Sequence, residues 1–123
     1  MLHCPATLGS AGHDVASSED VTIEPGQIKQ IHTGIRITFE QDLVVLLRDR
    51  SGLGSRGLHI LAGVIDSDYR GEWIVVACNL GTEAIVIKDG DKVAQAIFVK
   101  YYLHFDPMVR IRGQKGFGST DHE

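Results

Sequence analysis

Short runs rich in valine and isoleucine recur along the chain, each closed within a few residues by a turn-forming residue. The turn signals fall at Pro25-Gly26, Gly34, Gly52, Gly57, Gly71, Gly81 and Asp89-Gly90, a spacing that reads as an all-β sandwich or barrel of short strands. Val21 and Ile23 alternate with polar neighbours, as do Ile35, Ile37 and Phe39; period-two alternation predicts strands with one buried face. Leu43 to Leu47, Ile74 to Ala77 and Ala84 to Ile87 are continuously apolar and predict strands covered on both faces. Only Ser51 to Arg56 leaves room for a helical turn, and Gly52 and Gly54 keep it short. From Gly113 onward the apolar pattern stops. The organisation predicted is one β domain over residues 1–111 and a mobile glycine-rich tail over 112–123.

A chain of 123 residues makes one domain with a small core, for which association is a natural source of further burial. Twelve basic against 16 acidic side chains give a formal charge of −4, which argues against a broad nucleic-acid or anionic-membrane surface. Cys4 and Cys78 show neither a Cys-x-x-Cys nor a Cys/His ligand spacing, so a reduced compartment is the simpler reading, with a lone disulfide left open. The longest apolar stretches are too short to span a bilayer, and no charged-then-apolar signal opens the chain. The expectation is a soluble intracellular protein, cytoplasmic or nuclear, cellular or virus-encoded.

Candidate chemistry concentrates in three places. The apolar run Ile60 to Ile65 leads directly to Asp66, and a carboxylate at the end of a buried strand is held rigidly and partly desolvated, as a general base requires. A solvated turn aspartate is the plainer alternative. Asp68, two positions on, either shares that face or points to solvent, and is given a structural role. Tyr69 is core filling or a platform for a sugar. The segment Arg50 to Gly57 combines glycine-freed amides, hydroxyls and guanidinium groups, the ingredients of an anion site, although it lacks the Gly-Lys-Ser/Thr ending of a Walker loop. In the tail, Arg112, Ser119 and Thr120 suit phosphate oxygens and Phe117 suits a base, while Gly113, Gly116 and Gly118 allow close folding.

Five ordered blocks then stand out: Ser10 to Asp14, Arg50-Ser51-Gly52, Gly63 to Glu72, Gly90 to Gln95, and Arg112 to Thr120. In this order the chain resembles the trimeric deoxyuridine triphosphatase (dUTPase) family across about residues 9 to 121. The resemblance implies a jelly-roll-like β-barrel and a homotrimer whose active sites lie between subunits. It further implies hydrolysis of dUTP to dUMP and pyrophosphate by water attack at the α-phosphorus, with Mg²⁺ bound through the triphosphate and no direct protein ligand. By matching position, Asp66 activates the water and Tyr69 packs on the deoxyribose. The backbone of Gly63, Val64 and Ile65 reads uracil. Arg50, Ser51, Gly52 and Gln95 hold phosphate, with Asp14 and Asp68 in support. Phe117 covers the base, and Arg112, Gly118, Ser119 and Thr120 close over the phosphates.

Departures from the family pattern are local. His13 replaces an aromatic or aliphatic residue and reads as packing. Asp49 stands where a proline is usual, beside Arg48 and Arg50 as possible partners. Rival readings are a dCTP deaminase-like enzyme of the same superfamily and a non-catalytic, nucleotide-responsive binding protein with this fold; a nucleic-acid-binding β-barrel is a third, and the net negative charge weighs against it.

Overall fold

A computed structural model describes residues 2–104. Those residues form nine strands and one short helix: β1 (Gly12–Ala16), β2 (Val21–Ile23), β3 (Ile28–His32), β4 (Leu43–Arg48), α1 (Ser51–Ser55), β5 (Leu58–Leu61), β6 (Val64–Ile65), β7 (Ile74–Asn79), β8 (Ile85–Ile87) and β9 (Lys92–Lys100). The strands pair as three sheets, ordered β1-β9-β4-β6, β2-β8 and β3-β7-β5, and every pairing is antiparallel. The fold is all-β and jelly-roll-like, as expected, with its described strands in three packed sheets rather than one closed ring.

The core lies between these sheets. Val15, Ile23, Ile31, Val45, Val75, Ile85, Ile87 and Val93 are fully or almost fully enclosed, with Trp73 the largest side chain among them. Burial of each such side chain is worth roughly 1.5–3 kcal/mol. Trp73 is tied in by its backbone as well, its amide donating to Ile35 O at 2.9 Å. Asn79, the most deeply buried polar side chain, is fully used: Nδ2 donates to Ile23 O and Glu83 O, and Oδ1 accepts from the Gly81 amide.

Three local expectations change. Residues 33–40 form no strand. Ile35 is buried and Phe39 packs edge-on against Phe98 at 5.5 Å, but Ile37 between them is exposed, so the alternation marks neither a ladder strand nor one continuous buried face. The continuously apolar strands are covered fully on one face only. In β7 buried and half-buried residues alternate, and in β8 Val86 is exposed between buried Ile85 and Ile87. Ile60 to Ile65 is also no single buried strand. β5 belongs to one sheet and β6 to another, and the chain crosses between them at Ala62 and Gly63, both at positive φ. The division expected at residue 111 lies outside the described residues. The expected helical turn is present as α1. No helix among the described residues is long and apolar enough to cross a membrane.

Candidate active site

Two clusters of polar side chains sit on the frame of the four-stranded sheet. The first arises from register. Cα pairing places Asp14 of β1 and Arg48 of β4 on either side of Gln95 in β9, so the first, second and fourth sequence blocks converge at one end of these strands. Arg50 Nε donates to Asp14 Oδ1 at 3.1 Å and its Nη1 to Lys92 O at 3.3 Å, while Lys92 Nζ lies 3.5 Å from Asp14 Oδ2. Asp14 thereby holds two cations whose mutual repulsion would otherwise spread them. Gln95 Nε2 donates to Asp49 O at 2.8 Å, joining β9 to the turn that carries Arg50.

Ser51 and Gly52 begin α1 and are exposed. The helix has no side-chain cap; Gly54 N donates to Arg50 O at 2.7 Å and Ser55 Oγ to Gly52 O at 2.8 Å. The cluster's chemistry is that of an anion site: guanidinium, ammonium, amide and hydroxyl donors about a short turn.

The second cluster is the hairpin between β6 and β7. β6 is the edge strand of its sheet, pairing Ile65 with Val45 and Val64 with Leu46, so its outer row of backbone donors and acceptors is available to a ligand. Gly63 sets the entry to this strand. Its φ is +87°, and a Cβ there would stand 2.8 Å from Leu47 O and 3.3 Å from Leu47 Cβ. Only glycine meets both conditions without strain. A cavity of about 220 Å³ is lined by residues Ala62 to Asp66 together with Tyr69, Trp73 and Val76. Ile65 is buried, whereas Val64 is exposed.

Asp66 opens the turn, its carbonyl accepting from the Tyr69 amide at 3.1 Å. Asp66 borders the hairpin cavity and a second one of about 530 Å³ that also contacts Ser67, Asp68 and Arg70. The partial desolvation expected of this carboxylate is not met within one chain. Asp66 is exposed because the strand leading to it is two residues long and ends in a solvent-facing turn. Asp68 is exposed as well.

Tyr69 is 44% exposed, yet its position is defined. Its hydroxyl donates to Glu72 O at 2.8 Å, and its ring lies against Gly71, where a Cβ would come within 2.6 Å of Cζ. The Glu72 carboxylate fastens the hairpin base to the end of β3. Oε2 accepts from Gly34 N at 2.8 Å and Thr33 N at 3.2 Å, and Oε1 meets His32 Nδ1 at 3.1 Å. The Gly34 amide first, then His32, holds Glu72 below the usual carboxylate range. The Glu72 hydrogen bond and charge correspondingly raise His32.

Sequence reasoning missed several of these supports. Glu72 closes the third block but carried no assigned role, and Lys92 within the fourth was likewise unassigned. Asp49 pairs with neither neighbouring arginine by hydrogen bond; its Oδ2 meets His59 Nδ1 at 2.9 Å and its Oδ1 accepts from Ile60 N at 2.7 Å. Burial pushes the Asp49 carboxyl up, but His59 and the Ile60 amide outweigh it and leave the group below its ordinary value. His13 is a packing residue as expected, edge-on to Phe98 at 5.3 Å and bonded to His3 O at 3.0 Å. Arg112, Phe117, Gly118, Ser119 and Thr120 lie outside the described residues. Among the described residues, the cavities lined by Asp66 and Tyr69 include none of Arg50, Ser51, Gly52 and Gln95.

A deoxyuridine 5′-triphosphate nucleotidohydrolase of Desulfitobacterium hafniense is 45% identical over 126 residues, covering 94% of this chain and 83% of the relative. One from Vaccinia virus is 38% identical over 117 residues, covering 91% and 80%. Among solved structures, the native EIAV dUTPase superposes with a TM-score of 0.76 at 26% identity, covering 86% of this chain and 91% of the other. The dUTPase family model matches residues 1–121. On these matches, which take in every block of the two clusters, the chain belongs to the dUTPase family.

Proposed function

We propose that this protein hydrolyses dUTP to dUMP and pyrophosphate, lowering dUTP and supplying dUMP, and that it does so as a homotrimer with shared sites. The observation that carries this reading is the Asp66–Tyr69 hairpin, with an edge strand and a fitted cavity on one side and a seated aromatic ring on the other. A carboxylate beside a base-sized cavity is placed to take a proton from water attacking the α-phosphorus. The Asp66 carboxylate accepts that proton as the oxygen–phosphorus bond forms, and pyrophosphate leaves. The backbone from Gly63 to Ile65 reads the uracil edge, and Tyr69 stacks on the deoxyribose and leaves no room for a 2′-hydroxyl.

Arg50, Ser51, Gly52 and Gln95 hold the triphosphate, with Asp14 fixing the guanidinium and Asp68 supporting the turn. Phosphoryl transfer asks little covalent chemistry of the protein; rate comes from alignment and from cancelling charge. Among the described residues no three or more His, Cys, Asp or Glu side chains group as a metal cage, and the donors present fit a cation carried by the substrate's own oxygens. Bound that way, Mg²⁺ would neutralise phosphate charge. Arg112, Phe117, Gly118, Ser119 and Thr120 belong to the segment that closes over base and phosphates.

Sharing between chains is supported by the separation of the two clusters within one chain and by the half-buried apolar residues of β4 and β7, which a small domain gains by covering. A neighbouring copy also supplies the desolvation that Asp66 lacks alone. Mg²⁺-dependent pyrophosphate release measured across dUTP, dTTP, dCTP and UTP, with sedimentation in parallel, tests the reading. Selective release from dUTP by a trimer is the expected result. No release from dUTP refutes the activity, and a stable active monomer refutes the shared site.

A further inference from the structure

Asp49 sits at the junction of four elements. It follows Arg48, the last residue of β4, and precedes Arg50, at the start of α1. Its carboxylate reaches across to β5, accepting from Ile60 N at 2.7 Å and meeting His59 Nδ1 at 2.9 Å. Its carbonyl accepts from Gln95 Nε2 on β9 at 2.8 Å. Arg50 itself has an extended backbone and no side-chain cap for the five-residue helix it opens. The turn is therefore not held by helix capping; the bonds of Asp49, immediately upstream, take that part. The Asp49 carboxylate is turned toward a backbone amide and an imidazole and makes no hydrogen bond to Arg50.

We propose that Asp49 is a positioning residue for the triphosphate, its carboxylate clamping the β4–α1 turn to β5 and so fixing the guanidinium of Arg50 between Asp14 and Lys92. The inference rests on the assignment of Arg50 to phosphate in the proposed reaction. Displacing Arg50 by a fraction of an ångström weakens phosphate binding, because bidentate and charge-assisted contacts depend steeply on geometry. Asp66, on the separate hairpin, is untouched by the change. The loss therefore falls on substrate binding rather than on the proton transfer.

The test uses full-length D49A, D49N and H59A with dUTP. Asn keeps an acceptor for the Ile60 amide and a polar partner for His59, so D49N preserves the clamp without the charge. D49A is expected to raise KM about tenfold, ~1.4 kcal/mol, with kcat within about twofold. D49N should stay near wild type. H59A, which removes the outer half of the clamp, should raise KM about threefold and decides the matter if D49A fails to fold. An unchanged KM in D49A, or D49N as impaired as D49A, overturns the proposal. A second readout is independent of turnover. The NMR resonance of the Arg50 Nε–H group, held by Asp14, should lose its exchange protection in D49A and keep it in D49N. Should wild type fail to hydrolyse dUTP, only the proposed activity falls, and the Arg50 resonance still decides the role of Asp49: unchanged protection in D49A overturns it.

Discussion

Gly71→Ala should loosen discrimination between deoxyribose and ribose without touching a group assigned to the chemistry. A Cβ at residue 71 would stand 3.1 Å from Tyr69 Cε1, 2.6 Å from Cζ and closer still to the hydroxyl. The ring must move, and it can, because Tyr69 is 44% exposed. Moving it breaks the 2.8 Å bond from the hydroxyl to Glu72 O, a net loss of ~0.5–1.5 kcal/mol, and a side chain forced off its rotamer adds ~0.5–1.5 kcal/mol. The displaced hydroxyl finds water, so the lower end of the combined range applies, about 1 kcal/mol, or a Tm lower by about 5 °C. The larger effect is on selectivity. A ring no longer seated over the sugar admits a 2′-hydroxyl, and the ratio of kcat/KM for dUTP over UTP should fall about tenfold. Y69F, which keeps the ring over Gly71 and loses only the hydroxyl, should give only the hydrogen-bond part of the stability loss, ~0.5–1.5 kcal/mol, with selectivity largely retained. Parallel melting curves and pyrophosphate-release kinetics on the two nucleotides read both effects. G71A with wild-type selectivity and Tm would refute the steric argument, and Y69F as unselective as G71A would move discrimination from the ring to the hydroxyl.

Asp66→Asn should bind dUTP normally yet lose ~10²–10⁴-fold in turnover; near-normal kcat in single-turnover assays would remove the carboxylate from its role. Deleting residues 113–123 should leave the domain folded by circular dichroism while kcat/KM falls on the order of tenfold or more, and full activity would show the glycine-rich segment to be dispensable. The Glu72–His32 pair predicts a pH signature. His32 is raised above its ordinary 6.5, so its contribution is complete below that value and is lost as pH rises through the raised one. Glu72 is lowered from its ordinary 4.5, so its contribution is complete above that value and is lost as pH falls through the lowered one. The difference in urea midpoint between wild type and H32N should be largest between these two ordinary values and shrink toward alkaline pH. A difference that stays constant from about pH 6 to about pH 9 would show that the pair contributes nothing measurable.

The fold was legible wherever a signal is local. The spacing of turn residues and the alternation at Val21 to Ile23 need only neighbours in sequence to be read, and so does the helical turn at Ser51 to Ser55, kept short with two glycines inside it. The pattern misled where a strand depends on a partner. Ile35 to Phe39 alternates like a strand, but no described strand pairs with it, whereas Ile60 to Ile65 reads as one apolar run and is split by two residues at positive φ, one of them Ala62. Nothing in the side chain of an alanine announces that conformation. The site was legible in parts for the same reason. Asp66 and Tyr69 lie within one turn and could be associated directly. The meeting of Asp14, Arg50 and Gln95 depends on the register of β1, β9 and β4, a relation between residues 14, 50 and 95 that composition and spacing do not encode. Only the family resemblance placed them together. His59 had no signal at all, because its significance comes entirely from Asp49 across the sheets.

The exposed state of Asp66 connects the size of this chain to its chemistry. A carboxylate proposed as a general base works best held rigidly and partly desolvated, and a domain of this length has little interior to spare for one. The hairpin accordingly stands at a sheet edge, its ring held by a bond to Glu72 O and its turn closed by the Asp66 backbone carbonyl rather than by burial. The cationic cluster stands elsewhere on the chain, fixed by Asp14 and the Asp49 clamp. Each cluster is rigid by itself, and neither holds both a base and the phosphate-binding charges. In the proposed assembly, packing one copy's cationic cluster against another's hairpin would do two things at once. It would cover half-exposed apolar residues, and it would dehydrate Asp66 beside the guanidinium that holds the phosphate. Trimer formation and catalytic competence then become one equilibrium, so dilution below the association range should lower activity per chain rather than merely change the sedimentation pattern.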